Sequence, residues 1–300
     1  MSSGEALNPP LAPRHLVVAT DFSAASDQAL SRAIALSKRL GARLTLLHVV
    51  EPLPVVSAWG DPGGASWLGL EALLDAGKAA LARQVARVPE ALDHAIALQC
   101  QVGMPRSDLG IFAQDLGGEL LVLGAKVTRT LGDRLLGSTA QATVHRCPLP
   151  LLVVRKASAA PWSRCLASTD FSPASLHAAA LGGLIAPDAE HRLMYVHPPL
   201  PEATLALMQP DPAQLESYNK ANETKAAARL DAEGARLGHW GVVFRRGHPV
   251  DEVVKEAEDR AIDLVCVGTR GHGPWLGGFL GSVGQAVLAR SSADVLLAPA

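Results

Sequence analysis

Leu264-Val-Cys-Val-Gly-Thr-Arg-Gly-His-Gly-Pro-Trp-Leu-Gly-Gly-Phe-Leu-Gly-Ser-Val-Gly-Gln-Ala-Val-Leu-Ala289 joins an apolar run, a glycine-rich connection and a run of helical period. The run Leu264 to Val267 predicts a buried strand and Val283 to Ala289 a helix, so the stretch reads as one strand-loop-helix unit. Glycines at such a junction allow positive φ and let a ligand approach the main chain. The free N–H groups that open the helix, at the positive end of its dipole, suit an anion such as phosphate.

Working outward, the same unit recurs along the chain. His15 to Thr20 predicts a first strand, and Asp21-Phe-Ser23 leads into a helix that runs to Leu40, with Ser23 as N-cap and Gly41 as stop. Arg43 to Val49, Ala95 to Val102, Glu119 to Leu123 and Pro150 to Val154 predict four more strands, with helices expected over Trp67 to Val88 and Arg106 to Leu116. Five short apolar strands separated by helices are the pattern of a doubly wound parallel sheet.

The pattern then starts again. Lys156 to Ser163 reads as a linker, and Thr169-Asp-Phe-Ser172 repeats Thr20-Asp-Phe-Ser23 residue for residue. Pro173 falls at the first helical position, where a missing N–H does no harm. Gly103, Gly124, Gly137 and Leu151 all find their counterparts, Gly247, Gly268, Gly281 and Val295, at one constant offset. Four landmarks at equal spacing define a tandem duplication, with domains expected over 1–155 and 163–300. The copies differ in the loop: the later one has Gly268, two residues, Gly271, nine residues and Gly281-Ser282, whereas the earlier one has Val127 in place of the second glycine. A β-branched residue disfavours positive φ and fills space, so the second site is expected to bind and the first to be weak or empty.

These features together resemble the universal stress protein family, present twice: the Thr-Asp-Phe-Ser turn, the Gly-x-Pro turn at Gly103 and Gly247, the apolar fourth strand and the Gly-x2-Gly-x9-Gly-Ser loop. The resemblance covers roughly 14 to 155 and 163 to 300. It implies an α/β fold of two repeated doubly wound domains, each with a five-stranded parallel sheet of the adenine nucleotide alpha hydrolase-like type. The implied cofactor is ATP, with or without Mg2+. By the same resemblance Asp170 would contact adenosine and Val196 would line the base pocket. Val267, Gly268, Arg270, Gly271 and His272 would border ribose and phosphates, and Gly281, Ser282 and Val283 would hold the phosphate chain. The matching positions in the first copy are Asp21, Val49, Gly124, Gly137 and Ser138. Pairing through Leu151 to Val154 and Val295 to Leu297 would make an intramolecular pseudo-dimer, with a homodimer also open.

Each of these residues has a purely structural rival. Asp21 and Asp170 also suit a turn before a helix, Gly268 and Gly271 a tight turn, and Ser282 a helix cap. Arg270 and His272 read equally well as solvated loop residues, and Trp275 and Phe279 as packing residues. His48 and His197 are not at metal-ligand spacing, so no metal site is expected.

Composition narrows the function classes. A net charge of −2 gives no broad argument for nucleic acid or a membrane surface, and no run is long and apolar enough to span a bilayer. A cytoplasmic protein is expected. Cys100, Cys147, Cys165 and Cys266 are scattered without a Cys-x-x-Cys pair, which points to reduced thiols. There is no Gly-x4-Gly-Lys-[Ser/Thr], no third glycine for a dinucleotide fingerprint, no Gly-x-Ser-x-Gly and no His-Glu-x-x-His. Phosphoryl transfer needs a positioned base that the sequence does not offer, so efficient catalysis is not indicated. The reading that follows is an ATP-binding stress-response regulator acting through an unknown regulatory protein partner. A slow ATPase and an interaction scaffold without nucleotide stand as alternatives.

Overall fold

The computed structural model describes residues 11–52, 65–125, 128–130, 133–135, 137–156, 158–200, 211–269 and 281–299. The chain divides into two compact units, with the division between Ala160 and Pro161. The first contains β1 (His15–Ala19), α1 (Ala24–Leu40), β2 (Arg43–Val50), α2 (Ala65–Arg87) and β3 (Ile96–Val102). It continues through α3 (Pro105–Asp115), β4 (Leu120–Gly124), the short strands β5 (Thr128–Thr130) and β6 (Asp133–Leu135), α4 (Ser138–Arg146) and β7 (Leu151–Val154). The second contains β8 (Arg164–Thr169), α5 (Pro173–Ile185), β9 (Glu190–His197), α6 (Pro212–Arg236) and β10 (Gly241–Arg246). It ends with α7 (Pro249–Asp259), β11 (Leu264–Gly268), α8 (Ser282–Arg290) and β12 (Asp294–Ala298).

Within the first unit five parallel strands run in the order β7-β4-β1-β2-β3. The second repeats it as β10-β9-β8-β11-β12, again all parallel. The central strand β1 is buried along its whole length, with Leu16, Val17 and Val18 at 0% exposure, because helices cover the sheet and leave no polar alternation to read. In the first unit α1 packs across β1, β4 and β7, and α2 across β2 and β3. In both units strand order reverses between the first strand and the fourth. The connections leave the carboxyl ends of β1 and β4, or of β8 and β11, in opposite directions, and a crevice opens between them.

The turn after the first strand is built by side chains, identically in both copies. Thr20 Oγ1 accepts the Phe22 N–H at 2.9 Å, and Thr169 Oγ1 accepts that of Phe171 at 2.8 Å. Asp21 Oδ1 then takes the Ser23 N–H at 3.1 Å, and Asp170 Oδ1 that of Ser172 at 3.0 Å. Ser23 and Ser172 cap the following helices by accepting the N–H of Ser26 and Ser175. This network holds Phe22 and Phe171 at φ 62° and 64°, a left-handed conformation rare for a bulky residue. Gly41 ends α1 at φ 63°, as the sequence predicts.

The described parts of the first copy's connection after β4 are not irregular throughout. β5 and β6 pair antiparallel, Thr128 with Leu135 and Thr130 with Asp133, so the backbone there bonds to itself. The thiols are also settled: all four cysteines are free, and the buried Cys165 and Cys266 meet at an Sγ–Sγ distance of 3.7 Å. Among the described residues no helix is long and apolar enough to cross a membrane.

Two stability predictions follow from this geometry. Thr20→Val or Thr169→Val keeps the side-chain shape but deprives a left-handed phenylalanine of its acceptor; each is expected to cost about 1–3 kcal/mol in urea unfolding. A Cβ on Gly268 would sit 2.6 Å from the Ser175 backbone nitrogen, and one on Gly124 would overlap the Ala25 carbonyl. Gly268→Ala and Gly124→Ala are therefore expected to lose about 1–3 kcal/mol by the same measurement.

Candidate functional site

At the crevice of the second unit a hollow of about 280 Å³ is lined by Asp170, Tyr195, Val196, Val267, Gly268, Gly281, Ser282 and Val283. Seven of the ten residues singled out from the sequence thus meet around one space. The other three, Arg270, Gly271 and His272, lie outside the described residues, as do Trp275 and Phe279. Ser168, Thr169, Ser175, Pro198, Pro249 and Gly284 complete the lining.

Each wall has a local cause. Gly268 ends β11 where the backbone of α5 crosses close by, and the contact with Ser175 leaves no room for a side chain. Its glycine is therefore required by helix–strand packing before any ligand is considered. Gly281 is the opposite case. Its φ of −60° and ψ of 156° suit any residue, and a Cβ built there meets no described residue within 4 Å. Among the described residues neither conformation nor packing excludes a side chain at this position.

Gly281 is also the N-cap of α8 and offers no side chain to cap it. The first intrahelical bond runs from the Gln285 N–H to the Gly281 carbonyl at 3.0 Å, so the N–H groups of Ser282, Val283 and Gly284 precede the helical ladder. All three residues line the hollow. Asp170, whose Oδ1 is fixed by the Ser172 N–H, lines the same hollow. The hollow therefore combines a carboxylate with helix-dipole amide donors; among the described residues no lysine or arginine lines it.

Tyr195 forms part of the wall and was not singled out by sequence reasoning. Its ring stacks on Phe171 with centroids 4.7 Å apart and an interplanar angle of 24°. Burial, with the nearby Asp170 charge, pushes its hydroxyl above the ordinary tyrosine range, so it stays protonated as a donor at neutral pH. Arg229 from α6 also lies over the Phe171 ring, with its guanidinium carbon 4.5 Å from the centroid and Nη2 donating to the Phe171 carbonyl at 3.2 Å. The signal for Tyr195 was its place next to Val196 at the carboxyl end of β9.

The first unit has a corresponding hollow of about 460 Å³, lined by Asp21, His48, Val49, Gly124, Gly137 and Ser138 among others. Gly137 repeats the geometry of Gly281, with φ −57° and open space where a Cβ would be. His48 replaces Tyr195, and its Nδ1–H donates to the Thr20 carbonyl at 2.9 Å. Val127, on which the expectation of a weak first site rests, lies outside the described residues. Among the described residues no group of three or more His, Cys, Asp or Glu is arranged to hold a metal ion.

Comparison with known proteins places this architecture. The profile of the universal stress protein family matches residues 13–155 and again 161–299. A universal stress protein of Mycolicibacterium smegmatis is 27% identical over 290 residues, 94% of this chain and 96% of that protein. One from Methanocaldococcus jannaschii is 31% identical over 144 residues, 48% of this chain and 82% of that protein. The crystal structure of a universal stress protein from Archaeoglobus fulgidus shares the fold, with a TM-score of 0.69 at 16% identity over 95% of this chain and 98% of that one. With two matches that together span nearly all of its length, the chain belongs to the universal stress protein family, as two tandem domains.

Proposed function

We propose that the chain is a nucleotide-binding stress regulator whose second domain holds ATP in the hollow between Asp170 and the start of α8. The observation that carries this reading is Gly281, a glycine in whose place a side chain would meet none of the described residues. A bare N-cap in open space lets an anion reach the three leading amides of α8, and a phosphate chain is the anion such a helix start receives best. The Asp170 carboxylate that lines the same hollow suits the hydroxyl or amino donors of a nucleoside. Acceptor and donors within one hollow match the polarity of a nucleotide. The role proposed is binding that alters a partner surface, with no step of catalysis assigned to a side chain.

The second domain is proposed as the main site. The first copy has Val127 where the second has Gly271, a β-branched side chain in place of bare backbone. The larger first hollow makes the stoichiometry the deciding quantity.

Denaturing the purified protein and identifying what it releases is expected to yield an adenine nucleotide. In magnesium-containing buffer, calorimetric titration of the emptied protein with ATP is expected to give one site per chain. Gly281→Val is expected to weaken that binding by at least about tenfold, since a side chain there displaces hydrogen bonds to a charged group. Its stability is expected to fall by about 0.5–1.5 kcal/mol, the cost of a poor N-cap residue, with the fold retained, and Gly137→Val is expected to leave affinity unchanged. Absence of any bound or binding nucleotide refutes the reading; two equal sites refute the assignment to the second domain.

A further inference from the structure

The second domain carries another hollow at the opposite end of its sheet, where β9 and β10 begin. Its volume is about 790 Å³, within the range of small-molecule sites. Its lining includes the apolar Leu184, Ala180 and Pro187 together with His191, Arg236 and Trp240.

The duplicated chain supplies its own control for this region. Leu16 pairs in register with Leu44, and Leu44 with Ile96. The corresponding partner of Cys165 is His191, and the residue beside His191 on the next strand is Trp240. An apolar Leu44–Ile96 pair thus serves the fold in the first copy, where the second has an imidazole and an indole. These rings stack with centroids 4.5 Å apart and an interplanar angle of 18°. The fold does not require them.

Trp240 is 8% exposed, and its ring packs against α5 at Gly183. Its Nε1–H has no acceptor among the described residues, and it is not one of the side-chain nitrogens sealed from the surface. An indole N–H held this firmly and left unmatched is a donor waiting for an acceptor. Arg236 lines the same hollow. Its Nε is engaged by Glu233 at 2.7 Å, whereas its terminal nitrogens have no acceptor among the described residues. Arg192, by contrast, is spent on Glu190 and Glu256. Burial lowers the pKa of His191, partly offset by the Ala186 carbonyl, which keeps the ring neutral and suited to stacking. Gly238 and His239, at φ 94° and 63°, turn the chain sharply from α6 into β10 and set Trp240 beside Arg236.

We infer that this hollow binds a small organic anion, a carboxylate or phosphate monoester whose oxygens accept from Trp240 Nε1–H and the Arg236 guanidinium while its apolar body lies against Leu184 and Pro187. The site is separate from the nucleotide hollow and does not depend on it. Planar guanidinium and a single fixed N–H together select an oxyanion over a neutral polar group.

The test follows the Trp240 indole and Gly241 amide resonances of the 15N-labelled full chain during titration with benzoate, and separately with phenyl phosphate. A saturable shift with either probe is expected, and the stronger one identifies the class of anion. Trp240→Phe preserves the stack and deletes the donor, and Arg236→Gln alters an exposed helix-end residue that folding does not need. Both variants, followed at Gly241, are expected to bind the responding probe about tenfold more weakly, the loss of one hydrogen bond to a charged group. No saturable shift with either probe, or undiminished binding in Arg236→Gln, overturns the inference. The readout is local, so a probe that enters the nucleotide hollow instead leaves both resonances unmoved.

Discussion

The threonine hydroxyl that receives a phenylalanine N–H at the end of each first strand is the contact on which both domains rest. Holding a bulky residue in the left-handed region costs about 1–3 kcal/mol, and the surrounding hydrogen bonds must exceed that for the turn to persist. They do so in a chain: threonine to phenylalanine, aspartate to serine, serine to the helix. The reward is directional. The strand reverses into a helix within a few residues, the aspartate faces the crevice, and the helix start comes close enough to the fourth strand that only glycine fits there.

That proximity explains why the two glycines of the motif are not equivalent. Gly268 and Gly124 answer to packing, and any protein with this turn would need them whether or not it bound a ligand. Gly281 and Gly137, both helix N-caps, have open space among the described residues where a side chain would be. Separating the two kinds is what turns a family motif into an argument about function, because only the second kind represents space that the fold itself leaves unused. The aromatic replacements at His191 and Trp240 follow the same logic, with the sister domain showing what the fold accepts in their place.

Much of this was legible in the sequence because it is local. Ser23, Gly41 and Pro173 announce helix ends by chemistry that involves only neighbouring residues, and the structure has them in those roles. The apolar runs gave the strands within a residue or two, as with Ile96–Val102 against an expected start at Ala95. The assembly of Asp170, Val196 and Gly281 around one hollow was implied by a family pattern, and strand order accounts for it. What escaped depends on partners distant along the chain. The closeness of Gly268 to Ser175, the stack of Tyr195 on Phe171 and that of His191 on Trp240 are set by register between strands, which periodicity does not reveal. The β5–β6 pair escaped for another reason: strands of three residues are too short to display alternation.

The uncapped start of α8 also links occupancy to rigidity. Most helices finish their first turn with a serine, threonine, aspartate or asparagine drawn from the chain, and a glycine leaves that task undone. An anion resting on those amides would act as the missing cap, so the energy it gains there also tightens the last helix of the domain and, through it, β12. In such an arrangement the ligand is a structural component supplied from solution, and the domain's firmness becomes a record of how much of it is present.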